Sequence, residues 1–360
     1  MSSIKAENYP EWQPLIEGLV DFEGVVAVIG AIDTGKTTLC SLLVNTLLKP
    51  SIPIGVVDCD VGQSEIGPPG AIGMGLTEEP IESIGDIEVR GLHFIGATSP
   101  SRRPLTAVAG AKRMVECAQE AGAKTIVMDT SGFVYGGAAR YLILSKLELI
   151  RPKHVVLLQR QSELEPLATA LARNNIWKLH YAAIPSVITR KPPTFRAQRR
   201  RARLNLYFQN ARSHTLNLDS VSLIGSRLGS GHPLSPDHHR LAEEICRVPI
   251  LAAEEVDGVL HLVSSHELNG LVISTLQEQF QIRNVFVIDP NSLTNLAVGL
   301  ADHDGKTYAM GIIEKVDFRA RMLHILTPAH SVTSVKWVHM GLMRIAADGS
   351  ELGEIKPWQV

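Results

Sequence analysis

The sequence predicts an α/β domain, a mainly parallel sheet flanked by helices, followed by a β-rich carboxyl-terminal domain. Three observations carry this. Short apolar runs alternate with helical patterns through the first half, a glycine-framed loop joins one such run to a helix, and a turn-punctuated, extended texture sets in near residue 212.

The runs 25–30 (VVAVIG), 53–60 (PIGVVDCD), 92–96 (LHFIG), 124–130 (KTIVMDT) and 154–159 (HVVLLQ) show little alternation, as strands covered on both faces do. Helical spacing over 36–48, 104–121, 137–150 and 161–173 supplies the crossovers between them, and such crossovers are right-handed. Ligands of such a sheet gather at the carboxyl ends of its strands. Farther along, 307–328 reads as two extended segments around a polar turn, with a third at 335–345. The division expected is 1–211, with an arginine-rich lid at about 190–209, and 212–360.

Composition narrows the function classes. The 360 residues are 45% hydrophobic and 20% charged, enough for a large core, and the formal net charge of -2 offers no global attraction to nucleic acid. An anionic partner must be met locally. Cys40, Cys59, Cys117 and Cys246 are scattered without CxxC or zinc spacing, so a reducing, cytoplasmic setting is expected. The amino terminus lacks the apolar core of a signal peptide, and no run is long enough to span a membrane.

The loop is the most specific feature. Gly30, Gly35, Lys36 and Thr37 complete G-x-x-x-x-G-K-[ST] between an apolar strand and a helix, the signature of a P-loop NTPase core. In that geometry the amides of Ala31, Ile32, Thr34, Gly35 and Thr38 and the helix amino terminus surround the phosphates of ATP or another NTP. Lys36 neutralises charge on the β- and γ-phosphates, and Thr37 ligates Mg2+. Asp129 ends an apolar strand, a second magnesium-holding signal. Asp58 and Asp60 close another strand, where period two points both to one side, within reach of nucleotide or acceptor and outside the sheet's core. Cys59 between them points the opposite way and packs. A lone aspartate is as often a turn or cap residue; three at neighbouring strand ends beside this loop are not read so easily that way.

The segments GAIDTGKTT (30–38), DCDVGQSEIGPPG (58–70), GATSP (96–100), DTSGFVYG (129–136) and RAQRRRARLNLYF (196–208) resemble, in this order, the polynucleotide 5′-hydroxyl kinases of RNA processing. The resemblance is strongest over about 20–210. It implies ATP and Mg2+ as cofactors and RNA 5′-hydroxyl ends as the acceptor, with single-stranded DNA as an alternative and a processing nuclease as a candidate partner. By the same resemblance Asp60, beside Val61, Gly62 and Gln63, meets the acceptor end or its metal, and Asp33 matches the family's loop aspartate. Thr98, Ser99 and Pro100 match a clasp on the nucleotide phosphates. Phe133 stands where many eukaryotic relatives carry a tryptophan that stacks on the acceptor base. Their additional amino-terminal domain has no counterpart in the roughly two dozen residues before this loop strand.

Arg196, Arg199, Arg200, Arg201 and Arg203 fall within one helix-compatible stretch, so they cannot all face one ligand. Arg196, Arg200 and Arg203 share a face and match the family's lid arginines. A charge run alone is usually a solvated face; following the nucleotide-binding strands, this one reads as a mobile lid that brings guanidinium charge to the transferring phosphoryl group. An aspartate in a phosphate loop is unfavourable when it faces ATP and useful when it faces a hydroxyl acceptor. Asp60 is therefore expected as general base and Asp33 as an orienting acceptor, with a purely structural Asp33 as the alternative. The "PDHHR" crowding at 236–240 reads as an exposed loop or helix start, and Trp177, Trp337 and Trp358 as packing residues. Competing functions are an ATP-binding assembly factor with vestigial catalysis and a small-molecule kinase. A GTPase is disfavoured by the lack of N-K-x-D.

Overall fold

The computed structural model describes residues 6–174 and 176–356, and Trp358 lies outside them. The chain forms two compact units, Met1–Leu204 and Asn205–Val360. Among the described residues no helix is long and apolar enough to cross a membrane.

In the first unit, strands β1 (Gly24–Gly30), β2 (Ile54–Asp58), β3 (Ala71–Thr77), β4 (Val89–Phe94), β5 (Thr125–Asp129), β6 (His154–Leu158) and β7 (Lys178–Ala182) lie in the order β4-β3-β2-β5-β1-β6-β7. The five from β2 to β7 are parallel, while β3 runs antiparallel to β2 and β4 antiparallel to β3. β1 is covered on both faces. Val25, Ala27 and Ile29 join one core with Met114, Leu147 and Leu171, while Val26 and Val28 join the other with Trp12, Leu39 and Leu43. That two-sided burial explains the missing alternation. The helices are α1 (Gln13–Glu17), α2 (Lys36–Leu47), α3 (Pro104–Glu120), α4 (Gly136–Ile150), α5 (Glu165–Ala172) and α6 (Pro193–Phe208).

Two strands went unread in the sequence. β3 carries Gly73 and Gly75, residues poor in strand propensity, because backbone crowds both positions: a Cβ on Gly73 would collide with the Ile66 carbonyl and one on Gly75 would come 2.6 Å from the Glu88 oxygen. β7 is an edge strand with exposed and half-buried residues, so its composition gives no apolar run. Trp12 is fully buried, stacks on Tyr9 with centroids 4.9 Å apart, and donates its indole N–H to the Ala183 carbonyl at 2.8 Å. Trp177 packs against the first core and Trp337 stands 39% exposed.

At the opposite end of the sheet from the loop, His154 Nδ1 and His180 Nε2 are 2.8 Å apart and share one proton. Burial, with the facing His180, pushes His154 down from about 6.5 to about 4. An unfolded chain then binds that proton at a higher pH than the folded one, so stability falls as pH drops from about 6.5 toward about 4. Chemical-denaturation midpoints at pH 7.5 and pH 5 should therefore differ in the parental protein and differ less in His154→Gln; equal pH dependence in the two would contradict this.

The second unit is β-rich and also carries two helices. One group of strands runs Glu351–Glu354, Trp337–Ile345, Leu296–Ala301, Thr307–Asp317, Met322–Thr327 and Arg212–Asn217, each antiparallel to the next. The expected hairpin over 307–328 is the Thr307–Asp317 and Met322–Thr327 pair. A separate four-stranded sheet packs with the helices Pro236–Cys246 and Gly270–Phe280 around Leu260, Leu262 and Leu276. The crowded histidines sit at the start of the first of these helices: Ser235 Oγ accepts the His238 N–H, Asp237 pairs with Arg240, and His239 meets the Ile250 carbonyl. That is a capped helix, as a sequence with Ser-Pro-Asp at its start should give.

Candidate functional site

The loop between β1 and α2 is built on close approaches. A Cβ at Gly30 would come 2.6 Å from Thr34 Oγ1 and 2.8 Å from the Leu158 carbonyl, and Gly35 takes φ +87° at the foot of α2. Asp33 also adopts a positive φ, 58°, which aspartate tolerates better than most residues. The loop satisfies itself internally. The Ala31 carbonyl accepts both Thr34 Oγ1 and Lys36 Nζ, each at 2.9 Å, and Lys36 is buried at 6% exposure. The Thr34 hydroxyl is thus turned into the loop, leaving only its amide for an anion, whereas Thr37 and Thr38 at the helix start are half-buried and open to the cavity.

Thr37 Oγ1 donates to Asp129 Oδ2 at 2.6 Å, while Asp129 Oδ1 is buried without a hydrogen-bond partner. Burial pushes the Asp129 carboxyl up to about 7, against the pull of Lys36 and of Thr37. An orphaned carboxylate oxygen beside a hydroxyl at the mouth of a phosphate loop is a donor set that fits a hard cation such as Mg2+.

Asp58 and Asp60 have different fates. Asp60 is half-buried and lines the cavity, with Oδ1 accepting the Gly62 and Gln63 amides at 3.1 and 3.2 Å. Asp58 is buried at 1% exposure, correcting the expectation that it stands clear of the core. Its oxygens accept the amides of Asp60 (2.9 Å), Glu65 (2.6 Å) and Ile66 (3.1 Å) and the Ser64 hydroxyl. Burial and the neighbouring Asp129 and Asp60 push it up to about 8. Asp58 is the internal scaffold of the 60–66 loop. Asp58→Ala should leave three amides unpaired, two of them buried, and cost about 3 kcal/mol or more, measurable by urea denaturation; a loss below about 1 kcal/mol would show the loop holding its shape without it. Cys59 is buried on the other side in the first core, as expected, its thiol pushed up to about 12 by burial.

Helix α6 lies over this loop. Arg196 Nη1 meets Asp33 Oδ2 at 3.2 Å, and the same oxygen accepts the Lys191 amide at 3.0 Å. Asp33 therefore ties the loop to α6 and the segment before it, close to its structural alternative, rather than standing free for an acceptor. Gln63 donates to the Arg196 carbonyl at 3.3 Å. Arg199 pairs with Glu65, which is buried, and Arg203 donates to the Glu65 and Gly67 carbonyls. The expected face of Arg196, Arg200 and Arg203 is thus divided: Arg196, Arg199 and Arg200 line the cavity, and Arg203 fastens α6 to the 60–67 loop, since a guanidinium fork suits paired carbonyls. Glu65 was missed, and Arg199 was read only as one member of the charge run; the signal was an acid directly before the IGPPG segment.

Opposite Lys36, Thr98, Ser99 and Pro100 line the same cavity, with Ser99 Oγ 2.8 Å from Ser101 Oγ. After β5, Gly132 lies against the phosphate loop so tightly that a Cβ there would clash with the Ile32 side chain and come 2.8 Å from its amide nitrogen. The next residue, Phe133, is half-buried on the cavity wall. The cavity, about 570 Å3, brings Lys36, Thr37, Asp60, Gln63, Phe133 and the α6 arginines together. A groove that combines a phosphate cradle, a carboxylate, an aromatic wall and guanidinium charge can hold a polyphosphate against a second, hydroxyl-bearing substrate.

Residues 30–210 match the family model described as mRNA cleavage and polyadenylation factor CLP1 P-loop. The polyribonucleotide 5′-hydroxyl-kinase of Thermococcus kodakarensis is 30% identical over 348 residues, covering 95% of this chain and 94% of that protein. The polyribonucleotide 5′-hydroxyl-kinase of Pyrococcus abyssi is 28% identical over 330 residues, covering 91% and 89%. Among solved structures, a wild-type Clp1p–Pcf11p complex matches 96% of this chain and 80% of its own with a TM-score of 0.60 at 12% identity, a likeness of fold.

Proposed function

This chain belongs to the CLP1 P-loop family, and from that premise we propose that it is an ATP-dependent polynucleotide kinase, moving the γ-phosphate to the 5′-hydroxyl of RNA. The observation that carries the reading is the convergence, in one cavity, of a complete phosphate loop with Asp60, Gln63 and Phe133 on the acceptor side.

Bound triphosphate draws Lys36 from the Ala31 carbonyl onto the β- and γ-phosphates, and the amides from Ile32 to Thr38 close around them. Thr37 and Asp129 hold Mg2+, which when bound neutralises phosphate charge. Asp60 accepts the proton of the 5′-hydroxyl as its oxygen forms the new bond to the γ-phosphorus; the bond to the bridging oxygen breaks and ADP departs. Arg196 and Arg200 offset the charge spread over the transferring group, and Phe133 supports the terminal base. Asp33 positions Arg196.

Labelled ATP offered to a 5′-hydroxyl RNA oligomer, its 5′-phosphorylated twin and free nucleosides tests the assignment. Label should enter the first alone. ATP binding without label transfer would favour an assembly factor, and labelled nucleosides a small-molecule kinase.

A further inference from the structure

A second cavity, of about 1020 Å3, meets the first at the phosphate loop; Ile32, Asp33, Phe133, Lys191 and Arg196 line both. Its size is at the upper end of what one small ligand fills. The donor's phosphates do not fill it. Gly35, Lys36, Thr37 and Thr38, which take the phosphates, line only the first cavity, as do Val187, Ile188 and Thr189, which continue past that end of the loop. The two cavities share Phe133, the wall of the acceptor, along with Ile32, Asp33, Lys191 and Arg196.

The second cavity has the chemistry of a single-stranded nucleic-acid groove. Tyr135, two residues beyond Phe133, is 64% exposed on its wall, and Ile32 is 52% exposed beside it. Four cationic side chains, Arg160, Arg190, Lys191 and Arg196, face two carboxylates, Asp33 and Glu163. Arg160 already donates to the Asp33 carbonyl and Arg196 to its carboxylate, which holds them at the junction with the exposed Lys191; Arg190, also exposed, lines the second cavity alone. An aromatic platform with cations along one edge binds stacked bases and backbone phosphates with little regard to sequence.

We infer that this cavity is the track for the second and third nucleotides of the acceptor strand, one base stacked on Tyr135 and the adjoining phosphates met by Arg190 and Lys191. The identity of the strand as a kinase acceptor rests on the function proposed above; the binding does not require turnover. The track favours strands over mononucleotides as acceptors, because an acceptor without a second nucleotide leaves it unfilled.

The test measures affinity for a 3′-labelled 5′-hydroxyl RNA hexamer by fluorescence anisotropy, ATP affinity, and transfer to the hexamer and to a nucleoside 3′-monophosphate. Tyr135→Ala should weaken hexamer binding about tenfold, leaving ATP affinity and mononucleotide transfer within about twofold, and Tyr135→Phe should restore the parental value. Arg190→Gln should weaken hexamer binding and flatten its salt dependence. No hexamer binding by the parental chain, or hexamer affinity unchanged in both Tyr135→Ala and Arg190→Gln, overturns the track; so does a fall in ATP affinity in its place, which would assign the cavity to the donor base. Tyr135-dependent binding without any transfer would sink the kinase function and leave the track standing.

Discussion

Lys36→Ala lowers the rate of phosphoryl transfer about a thousandfold or more, the largest loss expected from any single replacement in this molecule. The ammonium is buried at 6% exposure and at rest donates to the Ala31 carbonyl, so its work begins when a triphosphate displaces it. The α6 arginines that share the cavity approach it from the lid side, with Arg196 held by Asp33 and Arg199 by Glu65, and do not stand where Lys36 enters the phosphate loop. Lys36→Arg should not rescue the rate, since a planar fork is too large for a site that holds a compact point charge. Initial rates with labelled ATP, beside melting temperatures to show that the fold survives, decide this; a loss under tenfold would mean that the triphosphate lies elsewhere.

Asp60→Asn should follow with a loss of about a hundred- to ten-thousandfold in kcat. The amide keeps an oxygen for the Gly62 and Gln63 N–H groups, so the loop is preserved and the lost function is that of a base. Asp33→Asn acts through Arg196 and should cost about tenfold, with the Arg196→Lys variant giving a similar and largely non-additive loss. The ordering is the content of the prediction. Parental rates in both Asn variants would remove carboxylates from the acceptor chemistry, and equal large losses would restore Asp33 to a direct part.

The sheet and the phosphate loop were legible because each is local. Buried runs such as VVAVIG and the spacing of Gly30, Gly35, Lys36 and Thr37 need no distant partner to be recognised. β3 was not, since its glycines answer to crowding by residues 66 and 88. Asp58 and Asp60 look alike in sequence, and period two places them on one side; what separates them is the loop from 60 to 66 folding back over Asp58, a long-range fact. The arginine run was visible as a run, yet its division between Asp33, Glu65 and the 60–67 carbonyls depends on partners over a hundred residues away. Type and spacing pointed to the phosphate side, and the resemblance to Asp60, Gln63 and Phe133; that these three share one cavity emerges only when separate loops are brought together.

Gly132 has its own consequence. With no room for even a methyl group between it and Ile32, the turn that carries Phe133 rests directly on the backbone that would take the phosphates. Filling the seat of one substrate should therefore alter the affinity for the other, and by thermodynamic reciprocity the two seats influence each other by the same factor.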